Sequence, residues 1–163
     1  MTQLTSTQED YLEAIYRLQQ VDAAGSTRVS AIAARLGTRL PTVTRTVHRL
    51  TALGLLHHAD RRAVSLTEEG ERVAAEVVHR HDDLVTLLVG VLGLDRKQAE
   101  ADACQIEHGF SRRGAQRLHE LLEYIQRLPK DQREVLTRFK REASNGTRDF
   151  NNLPAGKAGG WRT

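Results

Sequence analysis

The sequence predicts a mainly α-helical fold, with a winged helix-turn-helix unit first and an all-helical unit after it. Three observations carry this. Apolar residues recur at three- and four-residue intervals through most of the chain, the spacing of helices with one buried face. Two short helical stretches meet at a glycine and are followed by two apolar stretches around a polar turn. Aromatic residues make up 4% and prolines number three, too few for a sandwich of many short strands.

Each element has its own signal. Residues 7–20 hold Leu12, Ile15, Tyr16 and Leu18 at helical spacing, and Ser6 or Thr7 offers a hydroxyl to cap the start. Residues 22–27 contain Gly and Ser and read as a loop. Val29–Leu36 reads as a short helix that turns Ile32, Ala33 and Leu36 inward and ends at Gly37. Pro41 suits the first turn of the next helix, where a missing N–H costs nothing. Val43, Val47, Leu50 and Leu53 mark the apolar face of that helix, and Gly54 stops it. Residues 55–58 and 63–66 form a small hairpin, or wing. Thr67 caps a long helix reaching about Leu92, with Glu68 and Glu69 near its positive end, and Gly93 breaks it. Asp95, Ser111 and Pro129 open three more helices, ending near Phe110, Arg127 and Asn145. The stretch from Ser144 onward is Gly- and Asn-rich and reads as a flexible tail.

Length and composition narrow the class. The 163 residues suffice for one ordinary domain or two small ones sharing a core. The longest apolar run, Leu84 to Leu94, contains Gly90 and Gly93 and falls short of the roughly 20 residues needed to span a bilayer. The N-terminus has no basic start followed by an apolar stretch, so no secretory signal is expected. The single cysteine, Cys104, excludes an internal disulfide and fits a reducing compartment. The expectation is a cytoplasmic protein without a membrane partner.

Charge is unevenly distributed. From Arg28 to Arg62 there are seven arginines and one acid, Asp60, giving +6; the remaining 17 basic and 20 acidic residues give −3. A basic segment of this kind on a helix-turn-helix is the footprint of a nucleic-acid surface. In that motif the start of the second helix enters the major groove. Its outward positions are Arg39, Thr42, Thr44, Arg45, His48 and Arg49. Arginine can pair with guanine, a threonine methyl can touch a thymine methyl, and short hydroxyls reach phosphates. Arg61 and Arg62 sit at the wing tip, where phosphate contact is natural, while His57 and His58 read as solvated.

A second constellation suggests a metal. Cys104, Glu107 and His108 fall at i, i+3 and i+4, so a thiol, a carboxylate and an imidazole share one helix face. That donor mixture suits a transition metal rather than calcium or magnesium. Asp10 and Glu13 form another one-face pair on the first helix. His79 and His81, two apart, cannot share a face, so one of them is a ligand candidate and the other is solvated. His119 has no obvious partner.

Taken together, the chain resembles the diphtheria toxin repressor / manganese transport regulator family of metal-dependent transcriptional repressors. The matching stretches are EDYLEAIY (Glu9–Tyr16), VSAIAARL (Val29–Leu36), LPTVTRTVHRL (Leu40–Leu50), LTEEG (Leu66–Gly70), RHDDLVTLLVGVLGLD (Arg80–Asp95) and EADACQIEHGFS (Glu100–Ser111). The resemblance implies metal ligands at Asp10, Glu13, His81, Cys104, Glu107 and His108. Asp10 and Glu13 match the manganese branch, whereas Cys104 matches the iron branch. Val85 stands where the iron branch carries an ancillary carboxylate, and the length leaves no room for the third, SH3-like domain of longer members. Base or phosphate contacts are implied at Arg39, Pro41, Thr42, Thr44 and Arg45.

The expected organisation is a DNA-binding domain at 1–70, a helical metal-binding and dimerisation domain at 71–143 and a tail at 144–163. The expected activator is Mn2+ or Fe2+, with Co2+ or Zn2+ substituting in vitro. The expected partner is a palindromic double-stranded operator bound by a homodimer, with Leu118, Leu121, Leu122 and Ile125 as apolar interface candidates. A winged-helix regulator indifferent to metal is the nearest rival. A metal-dependent hydrolase is remote, because no spare general base, oxyanion donor or nucleophile motif accompanies the ligands; the expectation is a protein that is not an enzyme.

Overall fold

The computed structural model describes residues 4–21, 26–59 and 63–145. In chain order its elements are α1 (Ser6–Val21), β1 (Thr27–Arg28), α2 (Val29–Leu36), α3 (Leu40–Ala52), β2 (Leu56–Ala59), β3 (Ala63–Leu66), α4 (Glu68–Thr86), α5 (Arg96–Glu107), α6 (Arg112–Arg127) and α7 (Lys130–Asn145). This is a helical fold carrying one small antiparallel sheet of order β1-β3-β2. In the wing, Leu56 pairs with Leu66 and Ala59 with Ala63. Val64 and Leu66, two apart, are both buried, as the two-residue period of a strand requires.

Local chemistry sets the boundaries. α1 starts one residue earlier than its hydroxyls suggested, because Thr5 is the cap. Its Oγ1 accepts from the Gln8 N–H, and Gln8 Oε1 accepts in return from the Thr5 N–H, a reciprocal capping box. Gly37 ends α2 at φ 60°, a left-handed backbone that suits glycine. Thr67, Asp95 and Ser111 cap α4, α5 and α6 by accepting from the N–H three residues on. A side chain at Gly70 would come within 1.9 Å of the Leu55 carbonyl oxygen, so a glycine there lets α4 start against the wing.

Three features depart from the sequence reading. Thr27, read as the end of a loop, instead forms a short strand with Arg28, because β3 supplies pairing partners for them. The long helix changes pitch at its end: Leu87–Val91 wind as a π-helical turn, with the Leu92 N–H reaching the Leu87 carbonyl. Leu118 and Leu122 are buried in the chain's own core rather than presented to a second copy.

Two apolar clusters organise the fold. The first joins Leu12 and Ile15 of α1, Ile32 of α2, Val43, Val47 and Leu50 of α3, and Val64 of the wing, and it includes Ala74 of α4. The second joins Leu84, Val85 and Leu88 with Ala99, Ala103, Leu118 and Leu122. α4 therefore runs through both. Among the described residues α7 contributes no buried side chain, and Val135 and Phe139 stay exposed on it.

Candidate metal centre and DNA-binding face

α1 has two faces with different partners. Tyr11, Leu12, Ala14 and Ile15 are buried, Tyr11, Leu12 and Ile15 in the first core, while Asp10, Glu13 and Arg17 face α4 and α5 across a cleft of about 860 Å³. The cleft also takes in His81 and Val85 of α4, Cys104 of α5 and Arg35 of α2.

The donors converge on Glu107, a carboxylate with no solvent exposure. In one set, donor atoms of Asp10, Cys104 and Glu107 lie within 4.8 Å of one another; in the other, those of Glu13, His81 and Glu107 do. His108, the first residue past α5, stands beside both. Its Nε2 is 2.9 Å from Asp10 Oδ1 and 3.5 Å from Glu107 Oε1, and its Nδ1 is 3.0 Å from Glu9 Oε2. His81 Nδ1 is 2.8 Å from Glu107 Oε2. All six residues singled out as metal ligands thus lie in one neighbourhood, and His79 is exposed away from it.

Charge explains the titration behaviour. The hydrogen bond to Glu107 raises the His81 pKa, against burial and with help from the Glu13 charge. Burial pulls His108 down, but its bond to Glu9 and the charges of Asp10 and Glu107 outweigh that and raise it. Burial, then the charges of Glu107, Asp10 and Glu13, push the Cys104 thiol up. The donors fit a divalent transition metal. Glu107 Oε1 is buried without a hydrogen-bond partner among the described residues, and a cation would satisfy it.

The ties of Arg17 to Asp82 and of Arg80 to Glu9 were not legible from spacing. Arg17 bridges Glu13 at 2.8 Å and Asp82 at 2.6 Å, linking α1 to α4. Arg80 reaches Glu9 at 2.7 Å. Acids and bases next to the named ligands in sequence, Glu9 by Asp10 and Arg80 by His81, were the available signal. His119 does have a partner, Asp83, at 3.0 Å.

Arg39, just before α3, and Pro41, Thr42, Thr44, Arg45 and Arg49 on it are all exposed along the predicted reading edge. Thr44 Oγ1 donates to the Leu40 carbonyl. His58 is not simply solvated. Its ring packs edge-on against His48 of α3 with centroids 5.4 Å apart, and its Nε2 is buried. Arg61 and Arg62 lie outside the described residues.

Comparison with known proteins decides the family. Residues 3–64 match the family model "Iron dependent repressor, N-terminal DNA binding domain", and residues 67–135 match "Iron dependent repressor, metal binding and dimerisation domain". The chain belongs to the iron-dependent repressor family. The iron-dependent repressor IdeR of Mycobacterium tuberculosis is 40% identical over 123 residues, covering 75% of this chain and 52% of the relative. The diphtheria toxin repressor of Corynebacterium glutamicum is 36% identical over 130 residues, covering 79% and 56%. The chain thus spans about half the length of the curated relatives it matches. A solved manganese-dependent transcriptional repressor in complex with manganese is 30% identical with a TM-score of 0.64, covering 72% of this chain and 53% of that one. As in the family's two-part description, the winged helix-turn-helix comes first and the helical unit second. No helix among the described residues is long and apolar enough to cross a membrane.

Proposed function

We propose that this chain is a metal-activated DNA-binding transcriptional regulator, a repressor of metal-ion homeostasis genes responding to Mn2+ or Fe2+. The observation that carries the reading is Glu107: buried, short of one partner, and set among donors from α1, α4 and α5. Asp10, Glu13, His81, Cys104, Glu107 and His108 would hold the ion. When bound, the ion supplies the positive charge that offsets repulsion among the converging carboxylates.

The chain's own residues convert that into DNA binding. Asp10 and Glu13 stand on α1, whose other face is packed into the core beneath α2 and α3. Holding the carboxylate face of α1 against α5 therefore fixes the orientation of α3 relative to the helical unit. Coupling of this kind is typically about 1–3 kcal/mol. Arg39, Pro41, Thr42, Thr44, Arg45 and Arg49 contact the duplex, with Arg61 and Arg62 on phosphates. A palindromic operator requires two such heads, supplied by a homodimer. Leu121 and Tyr124 of α6 and Val135 and Phe139 of α7 are its exposed apolar surface. With DNA as its target, the protein acts in the cytoplasm and performs no catalysis.

The names of the relatives support manganese or iron, and Co2+ and Zn2+ are expected to substitute in vitro. Affinity for the upstream region of a metal-transporter gene, measured with Mn2+, Fe2+, Co2+, Zn2+ and chelator, tests the reading. Equal affinity in chelator and in every metal would leave a winged-helix regulator indifferent to metal, and equilibrium dialysis would then show no bound ion.

A further inference from the structure

We infer that Glu9, which lies in neither donor set, is a positioning residue for the metal centre: it fixes the His108 ring through Nδ1 so that Nε2 faces the cluster, and Arg80 holds Glu9 in place. This rests on the metal reading above.

His108 is the residue at which α5 ends, so the regular helix does not continue through it to fix its side chain. Its ring needs another anchor. Glu9 Oε2 provides one, 3.0 Å from Nδ1. A carboxylate accepts and does not donate, so the ring nitrogen it meets carries the proton. Nδ1 is thereby committed to Glu9, and Nε2, which lies toward Asp10 and Glu107, is the nitrogen left to meet a cation once it gives up its own proton. Asp10 also accepts from the ring, but Asp10 is a cluster donor and would be shared with a cation; Glu9 would not. Glu9 itself is kept from turning inward by Arg80, whose guanidinium meets the same oxygen at 2.7 Å. Arg80 and Glu9 are 15% and 21% exposed at the side chain, so solvent loosens this link little. A partner of this kind beyond the ligands orients the ring and raises its basicity, and losing one typically costs about 10- to 100-fold in metal affinity.

The test uses the full chain and Zn2+, a diamagnetic probe, in equilibrium dialysis and in 15N NMR of the histidine rings. E9A is expected to weaken zinc binding about 10- to 100-fold and to replace the single Nδ1-protonated, Nε2-metallated His108 pattern with a mixture. E9Q, whose amide oxygen still accepts from Nδ1 and from Arg80, is expected to keep the wild-type pattern and most of the affinity. Operator affinity at saturating zinc is expected to be the same in all three. Unchanged affinity and ring pattern in E9A, or E9Q as weak as E9A, overturns the positioning role. H108A binding zinc like wild type would instead overturn the metal reading beneath it. Should E9A lose helicity, R80M releases Glu9 without removing it, and is expected to give a smaller loss of the same kind; unchanged binding in R80M overturns the part assigned to Arg80.

Discussion

The two charged surfaces of the molecule are built on opposite plans. From β1 through α3, Arg28, Arg35, Arg39, Arg45 and Arg49 have no carboxylate partner among the described residues. On α4 to α6 most arginines are engaged: Arg72 with Glu69 and Glu76, Arg96 with Glu100, Arg117 with Glu120, Arg127 with Glu123. Exposed pairs of that kind contribute about 0–1 kcal/mol each, so the difference has little to do with stability. It concerns what each surface offers a ligand. A guanidinium without an internal partner gives up nothing inside the protein when it meets a phosphate. At the metal centre the excess runs the other way. Glu9, Asp10, Glu13 and Glu107 converge, and Arg17, Arg80 and two histidines cover them only in part. One region is left short of negative charge and the other short of positive charge, and the molecule is the connection between them.

Breaking the acidic side is expected to have the largest effect. Glu107→Ala removes the carboxylate common to both donor sets. Operator affinity in the presence of metal is expected to fall to its value in chelator, about 5- to 150-fold by the usual size of such coupling. Far-UV circular dichroism is expected to change little, since the second core does not include Glu107. Unfolding on chelation would show instead that the ion holds the fold together.

Breaking the basic side is expected to cost less and to be selective. Arg45→Ala is expected to weaken specific binding by about 1–3 kcal/mol while sparing nonspecific DNA. Fluorescence anisotropy on operator and scrambled duplexes reads both. Equal losses on the two duplexes would move the reading edge away from Arg45.

Cys104 sharpens the comparison within the acidic region. Its thiol joins hard carboxylates in one donor set. Thiolate ligation favours iron, cobalt or zinc over manganese. Cys104→Glu is expected to shift activation toward Mn2+ and to abolish a near-ultraviolet sulfur-to-cobalt charge-transfer band. Cys104→Ser is expected to weaken iron and cobalt more than manganese. An unaltered metal preference in both variants would remove Cys104, an exposed residue of α5, from the ligand set.

Much of this was legible in the sequence, and the exceptions share a physical cause. Helix ends were written locally in Gly37, Pro41, Thr67, Asp95 and Ser111, because a cap acts on its own next turn. The Cys104, Glu107 and His108 face was likewise a matter of helical spacing. β1 was not, since a two-residue strand exists by virtue of β3. The choice of His81 over His79 needed family resemblance, since spacing left both open. The bond from His108 to Glu9 spans 99 positions, and the ring contact of His48 with His58 joins two different elements. No local pattern encodes either.

The smallest expected effect is on pH dependence with metal chelated. His81 and His108 have raised pKa values in the folded chain. A base that holds its proton more tightly when folded stabilises the fold fully below its unfolded pKa, about 6.5 for histidine, and loses that contribution as pH rises through the folded value. Thermal melts in chelator are therefore expected to fall slightly from about pH 6.5 upward, with a flatter profile in His81→Gln.

The helix shared by both apolar clusters has a consequence for how the chain comes apart. α4 supplies Ala74 to one cluster and Leu84 and Val85 to the other, and the π-helical turn that continues it adds Leu88. Nineteen residues of helix make a rod about 28 Å long. Fraying from either end exposes first one core and then the other along the same backbone. The unit that carries α3 and the unit that carries Cys104 and Glu107 are thus packed on one continuous helix. Damage to the packing of either one is inherited by its neighbour as lost cooperativity, with no ligand required to carry the message.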